Sequence, residues 1–330
     1  MLPRMPGVRA PLGTARRGPV DAVAAPGPAA SASRPDRVRP PAARPTIVRV
    51  TDPRRGGLRL ATFNILHGRS LSDGEVDVGR FADAVAGLDA DVLALQEVDR
   101  DQPRSTGADL TAVAAEAMGA TDHRFAATLR GEPGVWTRAT GDRQPGAAEY
   151  GIAIVSRYPV LRWRKMALPA LPVRWPLMLK DKPPILVRDE PRAALAALVD
   201  VPGGPLTVVS THLTFLPGWN AVQLRRLWWS CRALTRPMVV MGDLNLRGAL
   251  PSRLTGWRPL AQDPTFPLEE PRHQIDHILG SGDVHAVAPG GAVHTGTSDH
   301  RALVADVACG PGPARPGRLI PARGAREAAA

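Results

Sequence analysis

The sequence predicts an α/β protein in which two mixed β-sheets pack face to face and helices cover their outer sides. Three observations favour this class. Predicted strands outnumber predicted helices, the helices interrupt the strands at irregular intervals, and several strands are separated by hairpin-length connections. A doubly wound fold would instead show regular alternation of strand and helix.

The first predicted elements are two strands with a helix between them. Residues 58–64 alternate apolar and polar side chains, which predicts a strand. Residues 77–88 have apolar residues at helical spacing, and Asp77 is placed to cap the helix N-terminus. Residues 91–98 begin with a nearly continuous apolar run, which is typical of a strand buried on both faces.

The rest of the chain continues these patterns, with one exception. Residues 220–234 predict a helix, with Val222, Leu224, Leu227 and Leu234 facing inward. Residues 162–190 are rich in proline, tryptophan and basic residues, so we expect a long loop or an insertion there. The other predicted elements are a helix at 108–118 and strands at 123–128, 151–156, 193–201, 206–212, 237–243, 274–279, 292–294 and 302–307.

The positive charge of the chain is concentrated at its two ends. Residues 1–57 contain 11 Arg and 3 Asp, and residues 310–330 contain 4 Arg and 1 Glu. We interpret both stretches as disordered tails, because their Ala/Pro/Gly/Arg-rich composition cannot bury enough apolar surface to offset chain entropy. The domain between them, 58–309, has 27 basic and 27 acidic residues. The net charge of +11 therefore does not indicate a basic domain surface. The tails either attract nucleic acid or anionic lipid nonspecifically or are simply solvated extensions.

Cysteine content and hydropathy bound the location of the protein. Cys231 and Cys309 are the two cysteines and provide neither a disulfide framework nor a zinc cluster. No apolar run reaches the roughly 18 residues of a membrane span, and the N-terminus lacks an apolar signal region. We expect a cytoplasmic monomer without a transmembrane segment.

Polar residues recur at the ends of the predicted strands. An acid, amide or imidazole at a strand end is easily solvated and can project into a shared cleft. Each also has a simpler interpretation: GDLN is typical of a turn, SDH of a loop, and the acid in QIDHIL of a satisfied buried carboxylate. The residues in question are Asn64, Glu97, His212, Asp243, Asn245, Asp276, Asp299 and His300.

In this order, the segments resemble the endonuclease/exonuclease/phosphatase superfamily, which includes deoxyribonuclease-like endonucleases, abasic-site nucleases, inositol polyphosphate phosphatases and neutral sphingomyelinases. The resemblance extends over 58–309 and includes YGIAIVSRYPV and EPRAAL. Ile152 stands where many members have Asn, a position that is not essential to the chemistry. The resemblance implies a four-layer α/β sandwich and hydrolysis of a phosphate mono- or diester by an activated water.

The resemblance also implies a bound Mg²⁺, with Mn²⁺ as the alternative. Glu97 would be the main protein ligand, and Asn64 and Asp299 would complete or orient the ligand shell. One or two carboxylates are enough for a hard cation that keeps several of its waters. The sequence contains no HExxH motif or cysteine cluster that would favour zinc.

The remaining residues would act on the phosphate. Asp276 would pair with His300, and either His300 or Asp243 would activate the water. The amide of Asn245 would donate to a phosphoryl oxygen, and His212 would bind phosphate or protonate the leaving group. Arg192 matches a family position that supports phosphate binding. The histidines without motif support are interpreted as structural or surface residues: His67, His123, His277, His285 and His294.

Three functions remain open from the sequence. The chain is a nuclease, or it hydrolyses a lipid-linked or small phosphorylated substrate, or it is a non-catalytic binding module that retains the fold. The neutral domain charge weakens the nuclease hypothesis. Trp163 and Trp175, with nearby leucines and basic residues in 162–190, suit peripheral contact with a lipid surface. The same segment suits an apolar loop packed over the sheet.

Overall fold

The strands of the described residues form two large β-sheets and a separate hairpin. The computed structural model describes residues 57–140, 147–177 and 185–310. The strands of the described part are β1 (Leu58–Asn64), β2 (Val92–Arg100), β3 (Asp122–Arg130), β4 (Thr137–Arg138), β5 (Glu149–Ser156), β6 (Val160–Leu168), β7 (Trp175–Leu177), β8 (Ile185–Val187), β9 (Arg192–Val201), β10 (Gly204–His212), β11 (Met238–Asp243), β12 (Arg258–Pro259), β13 (Asp276–Ser281), β14 (Val284–Ala286), β15 (Gly291–Val293) and β16 (Ala302–Cys309).

Both large sheets are mixed. The first has the order β14-β16-β1-β2-β5-β3-β4, with β15 also paired to β16, and the second has the order β12-β13-β11-β10-β9-β6. In the first sheet β1 is parallel to β2 and antiparallel to β16. In the second, β10 is parallel to β11 and antiparallel to β9. The hairpin of β7 and β8 stands apart from both sheets.

The two sheets share one apolar core. Leu60 and Val92 of the first sheet belong to the same buried cluster as Val208, Met241 and Ile278 of the second. Burying each such side chain stabilises the fold by about 1.5–3 kcal/mol. The inward-facing residues of the two sheets therefore hold the layers together.

Helices complete the outer layers. Helices α1 (Val78–Leu88) and α2 (Leu110–Met118) contribute to a core on the first sheet, and α3 (Trp219–Cys231) to a core on the second, where α4 (Leu250–Thr255) also packs. The resulting four layers confirm the predicted α/β sandwich. In the described part, no helix is long and apolar enough to cross a membrane.

Local chemistry explains why α1 forms where the sequence predicts it. The Asp77 carboxylate accepts a hydrogen bond from the Arg80 backbone N–H at 3.0 Å, which caps the first turn. Phe81 and Val85 are buried against the sheet. The helix ends at Asp89, which adopts the left-handed conformation.

Two sequence predictions about local structure are wrong. Residues 162–168 belong to β6, which pairs with β9, so the predicted loop begins only after Leu168. Val222 of α3 faces solvent, whereas Leu224 and Leu227 are buried as expected. The predicted tails, 1–57 and 310–330, lie outside the described residues except for Gly57 and Gly310.

Candidate active site

Three neighbouring strands of the second sheet bring polar residues side by side. His212 ends β10, Asp243 ends β11 and Asp276 begins β13. His212 is the Cα partner of Asp243, which is in turn the partner of Asp276. The parallel β10–β11 pair and the antiparallel β11–β13 pair therefore place three functional side chains in one row.

A glycine makes this row possible. Gly242 has a φ of +149°, and a Cβ atom there would lie 1.9 Å from the Thr211 carbonyl oxygen of β10. No side chain fits in that space, so the glycine before Asp243 is required by the close approach of β10 and β11. Its role is to hold Asp243 next to His212.

Asn64 links the two sheets. It ends β1, and its Nδ2 donates to Glu97 Oε1 and to Asp243 Oδ2, each at 3.1 Å. Its Oδ1 accepts from the Leu66 backbone N–H at 3.2 Å, which fixes the orientation of the amide. In this geometry Asn64 orients two carboxylates and keeps its own oxygen engaged elsewhere.

Glu97 occupies a bulge in β2. Its φ is +56°, and the pairing of β2 with β5 shifts register between Leu95 and Val98. The bulge interrupts strand alternation and so sets the direction of this side chain independently of its neighbours. Burial raises the pKa of the Glu97 carboxyl, partly opposed by the hydrogen bond from Asn64 and the charge of Arg192.

Asp243 is the centre of the contact network. Its Oδ1 accepts from the Asn245 backbone N–H at 2.9 Å, and its Oδ2 lies 3.4 Å from His212 Nε2 and 3.9 Å from His300 Nε2. Burial and the nearby Asp276 charge raise the pKa of Asp243 to about 7. A raised pKa makes this carboxylate a better proton acceptor than a solvated aspartate.

The predicted pair of Asp276 and His300 forms. His300 Nδ1 donates to Asp276 Oδ2 at 2.8 Å, and Thr265 Oγ1 donates to the same oxygen at 2.6 Å. Burial lowers the pKa of His300, but the charge and hydrogen bond of Asp276 outweigh it and raise the value to about 10. The ring of Phe266 lies 4.9 Å from the imidazole, centroid to centroid. These contacts hold the ring in a fixed orientation, and the charge of Asp276 favours its protonated form.

Ser298 anchors the segment that carries Asp299 and His300. Its hydroxyl donates to the Asn64 carbonyl oxygen at 2.7 Å and accepts from the His300 backbone N–H at 3.1 Å. Asp299 is half-buried, and its Oδ1 lies 4.0 Å from His300 Nε2. The anchor therefore holds Asp299 next to His300.

Arg192 and His212 form a second pair. Arg192 Nη1 lies 3.1 Å from His212 Nδ1. Because arginine only donates, Nδ1 must accept, and the proton of the neutral ring is on Nε2. Burial, with the charges of Arg192 and His300, holds the pKa of His212 well below its usual value. His212 is consequently a neutral donor that directs its N–H toward Asp243.

Asn245 is held by its main chain and side chain. Its Nδ2 donates to the Leu213 carbonyl oxygen at 3.0 Å, and its own carbonyl accepts from Asn220 Nδ2 at 2.8 Å. The second proton on Asn245 Nδ2 is left for another acceptor. The side chain is half-buried.

All nine residues singled out in the sequence belong to one network of contacts no longer than 4.0 Å. Each is linked through Asn64, Asp243, His212 or His300. Sequence reasoning missed Thr265 and Ser298, which support the network. Thr265 carried no signal, whereas Ser298 could have been suspected because it directly precedes Asp299.

The histidines without motif support lie outside this network. His277, next to Asp276, directs its Nε2 to the Leu246 carbonyl at 2.7 Å and is buried. It therefore faces away from His300, as the alternation of a strand requires.

The carboxylates of the network could attract a divalent cation. Among the described residues, Asp243, Asp276 and His300 offer ligand atoms that all lie within 4.8 Å of one another. His300 Nδ1 and Asp276 Oδ2 are already bonded to each other, which leaves Glu97 and Asp299 as the other carboxylates of the network that could hold a cation. Asp276 Oδ1 is buried and has no hydrogen-bond partner among the described residues. A nearby positive charge favours the ionised form of a buried carboxylate whose pKa is raised. Hard cations prefer oxygen ligands such as these.

Comparisons with known proteins bear on the fold of the chain. Similar solved structures include an endonuclease/exonuclease/phosphatase from Beutenbergia cavernae (23% identity, 77% of this chain and 72% of that chain, TM-score 0.58). Another from Bacteroides vulgatus has 18% identity, with 77% and 99% of the two chains covered and a TM-score of 0.54. A mannosyl-6-phosphatase from Bacteroides thetaiotaomicron has 16% identity, with 76% and 99% covered and a TM-score of 0.52.

At these identities the structural similarities establish the shared fold. The comparison with curated proteins found no match. The sequence model of the Endonuclease/Exonuclease/phosphatase family matches residues 61–300, which include every residue of the network. This chain therefore belongs to the endonuclease/exonuclease/phosphatase family.

Proposed function

We propose that this protein is a Mg²⁺-dependent hydrolase that cleaves a phosphate mono- or diester with an activated water. The observation that carries the proposal is the single contact network of Asn64, Glu97, Asp243, Asp276 and His300 at the meeting point of the two sheets. Phosphoryl transfer depends mainly on positioning and charge stabilisation, and this network supplies both.

Glu97 and Asp299 are the residues we assign to holding the cation, with Asn64 orienting Glu97. The half-buried carboxylates fit Mg²⁺, and Mn²⁺ would accept the same oxygen ligands. When bound, the ion would neutralise charge on the phosphate and stabilise the leaving oxygen.

Asp243, rather than His300, is our candidate for the base that accepts the proton of water. Both Asp243 oxygens already accept hydrogen bonds, as expected of an ionised carboxylate. His300 donates through Nδ1 to Asp276, whose charge favours a protonated ring. Its Nε2–H is then available to a phosphate oxygen.

Arg192, His212 and Asn245 would hold the phosphate group. Arg192 is buried, and its Nε has no hydrogen-bond partner in the described part of the chain. A buried, unpartnered guanidinium N–H is a strong donor for a phosphate oxygen. His212 Nε2–H would donate to a second oxygen or to the leaving group, and the remaining Asn245 amide proton would stabilise charge on a third.

A substrate panel tests the proposal. Abasic DNA, plasmid DNA, inositol phosphates and sphingomyelin vesicles would each be incubated with Mg²⁺, Mn²⁺ or EDTA. We expect turnover of at least one ester with Mg²⁺ and none with EDTA. The Glu97→Gln variant should show no turnover with Mg²⁺ although its melting temperature is unchanged. Binding of a phosphate ester without turnover under any metal condition would instead support the non-catalytic binding module.

A further inference from the structure

Tyr150 lies on β5 next to the part of β2 that carries Glu97. It is the Cα partner of Asp99, which is two residues beyond Glu97 on β2. On the other side of β5, the pairing with β3 shifts register between Ala127 and Leu129, so both neighbouring strands are irregular at this point. Tyr150 is therefore at the same end of the first sheet as the carboxylate that we assign to the cation.

The side chain of Tyr150 faces the second sheet. Side chains alternate along a strand, and Ile152 and Ile154 of β5 belong to the core between the sheets, so Tyr150 lies on their side. The same core contains Leu195 of β9, the strand that begins with Arg192. The ring is consequently directed to the side of the first sheet on which the phosphate-binding arginine lies.

Two neighbours hold the ring of Tyr150. The centroid of the Trp136 ring lies 5.2 Å from that of Tyr150, and Arg104 Cζ lies 5.6 Å from the Tyr150 centroid and 5.3 Å from that of Trp136. Arg104 is fixed in turn, because its Nε and Nη2 donate to the buried carboxylate of Asp99 at 2.7 Å and 2.8 Å. These ring contacts restrict the tyrosine to one orientation and so fix the position of its hydroxyl.

The hydroxyl of Tyr150 has no hydrogen-bond partner in 57–140, 147–177 or 185–310, although the residue is only 8% exposed. A buried tyrosine hydroxyl ordinarily finds a partner, because leaving it unpaired costs free energy. An unpaired hydroxyl at the end of the sheet that carries a candidate site therefore indicates a contact with something that binds there.

The charges of Glu97 and Arg192 both act on this hydroxyl. Burial raises the pKa of Tyr150 well above its usual value, and the charge of Glu97 raises it further, whereas Arg192 opposes these effects. The hydroxyl consequently stays protonated at neutral pH and can donate to an anion. A neutral donor near both a cation-binding carboxylate and a phosphate-binding arginine suits a phosphoryl oxygen.

We propose that the Tyr150 hydroxyl donates a hydrogen bond to the phosphate group of the substrate, with Arg104 and Trp136 as positioning residues. This inference rests on the proposed function and adds a contact from the first sheet. The donors already assigned to the phosphate, Arg192 and His212, belong to strands of the second sheet. The phosphate group is thus held from both sheets.

Binding of inorganic phosphate with Mg²⁺, measured by calorimetry, tests this contact independently of turnover. Tyr150→Phe removes the hydroxyl and keeps the ring, so we expect phosphate to bind about fivefold more weakly. Because the hydroxyl has no partner among the described residues, the melting temperature of this variant should not fall.

Tyr158→Phe is the matched control. Tyr158 is the other tyrosine of the chain and is partly buried against the core between the sheets. We expect it to bind phosphate like the wild type. Equal affinity in Tyr150→Phe and the wild type, an equal loss in the two variants, or no phosphate binding by the wild type would overturn the proposal.

A double-mutant cycle tests whether Trp136 acts through the hydroxyl. Trp136→Leu should loosen the ring of Tyr150 and weaken phosphate binding about threefold, with no further loss when it is added to Tyr150→Phe. Trp163→Leu should leave the affinity unchanged, and it is matched because Trp163 is also partly buried and contacts Arg124. The same loss from Trp136→Leu in both backgrounds would overturn the positioning role of Trp136.

Kinetics separate this inference from the proposed function. With a nitrophenyl phosphodiester and Mg²⁺, kcat/KM of Tyr150→Phe should also fall about fivefold. Wild-type turnover with unchanged phosphate affinity and kcat/KM in Tyr150→Phe would overturn the inference and leave the proposed function in place. If phosphate binding depends on the hydroxyl but no ester is hydrolysed, the phosphate contact is supported and the proposed function fails.

Discussion

Removing Arg192 should slow hydrolysis by roughly 10²- to 10³-fold. In Arg192→Ala, the unpartnered Nε–H that we assign to a phosphate oxygen is lost, and so is the donor that holds His212 Nδ1 at 3.1 Å. A hydrogen bond from a charged donor contributes about 1.5–3 kcal/mol, and the lost orientation of His212, whose own side chain remains, costs about 1 kcal/mol more. The sum, about 2.5–4 kcal/mol, gives the range above.

The assay is kcat/KM for a nitrophenyl phosphodiester at saturating Mg²⁺, repeated with added guanidinium ion. Because the substitution leaves a guanidinium-sized space, we expect the free ion to restore part of the activity of Arg192→Ala. Arg157→Ala is the control, since Arg157 is another largely buried arginine, bonded to the Met118 carbonyl and Asp89. It should lose stability without any guanidinium-dependent gain in activity. A loss below about fivefold in Arg192→Ala would refute the phosphate-binding assignment.

Four further predictions concern the supports of the site and the tail. Gly242→Ala should lower the free energy of unfolding by about 3 kcal/mol or more, measured in urea, because its Cβ would lie 1.9 Å from the Thr211 carbonyl oxygen; a near-wild-type value would contradict the strain. Thr265→Val should cost about 1–3 kcal/mol of stability and reduce kcat, because Asp276 Oδ2 loses its 2.6 Å donor; unchanged unfolding and kcat would remove Thr265 from the network. Burial and the Arg104 charge lower the pKa of His67 to about 4, so its contribution to stability is complete above about pH 6.5 and is lost as pH falls toward 4. His67→Asn should therefore reduce the loss of unfolding free energy between about pH 6.5 and 4. An unaltered loss over this range would exclude His67 as its cause. Deleting residues 1–45 should leave the melting temperature unchanged, and a large drop would show that the segment packs.

The sequence predicted the strand positions and the chemistry at their ends because both are local. An alternating or continuous apolar run identifies a strand such as β11, and the polar residue after it is visible as its end. The family resemblance supplied the four-layer arrangement and the pairing of Asp276 with His300, residues 24 positions apart. Neither follows from periodicity.

The predictions that were wrong or missing also have physical reasons. Val222 faces solvent because it lies two residues from Leu224 and five from Leu227, about 200° and 140° around the helix, so the predicted inward face of α3 was drawn too wide. Residues 162–168 pair with β9 despite their basic side chains, since an edge strand with an exposed face tolerates them. Thr265 serves Asp276 across 11 residues, and a lone threonine between prolines gives no sign of its partner.

Mg²⁺-dependent turnover by wild-type and Asp243→Asn proteins tests the central claim most directly. Asn keeps the shape of the side chain but cannot accept the proton of water. Its Oδ1 can still accept from the Asn245 backbone N–H, whereas its NH2 group would face Asn64 Nδ2 and lose that hydrogen bond. We expect wild-type hydrolysis of a phosphodiester that saturates with Mg²⁺ and stops with EDTA. We expect a loss of at least about 10³-fold in Asp243→Asn, with a cooperative melting transition that shows the variant to be folded. Equal Mg²⁺-dependent rates in the two proteins would show that this cluster of side chains does not perform the reaction.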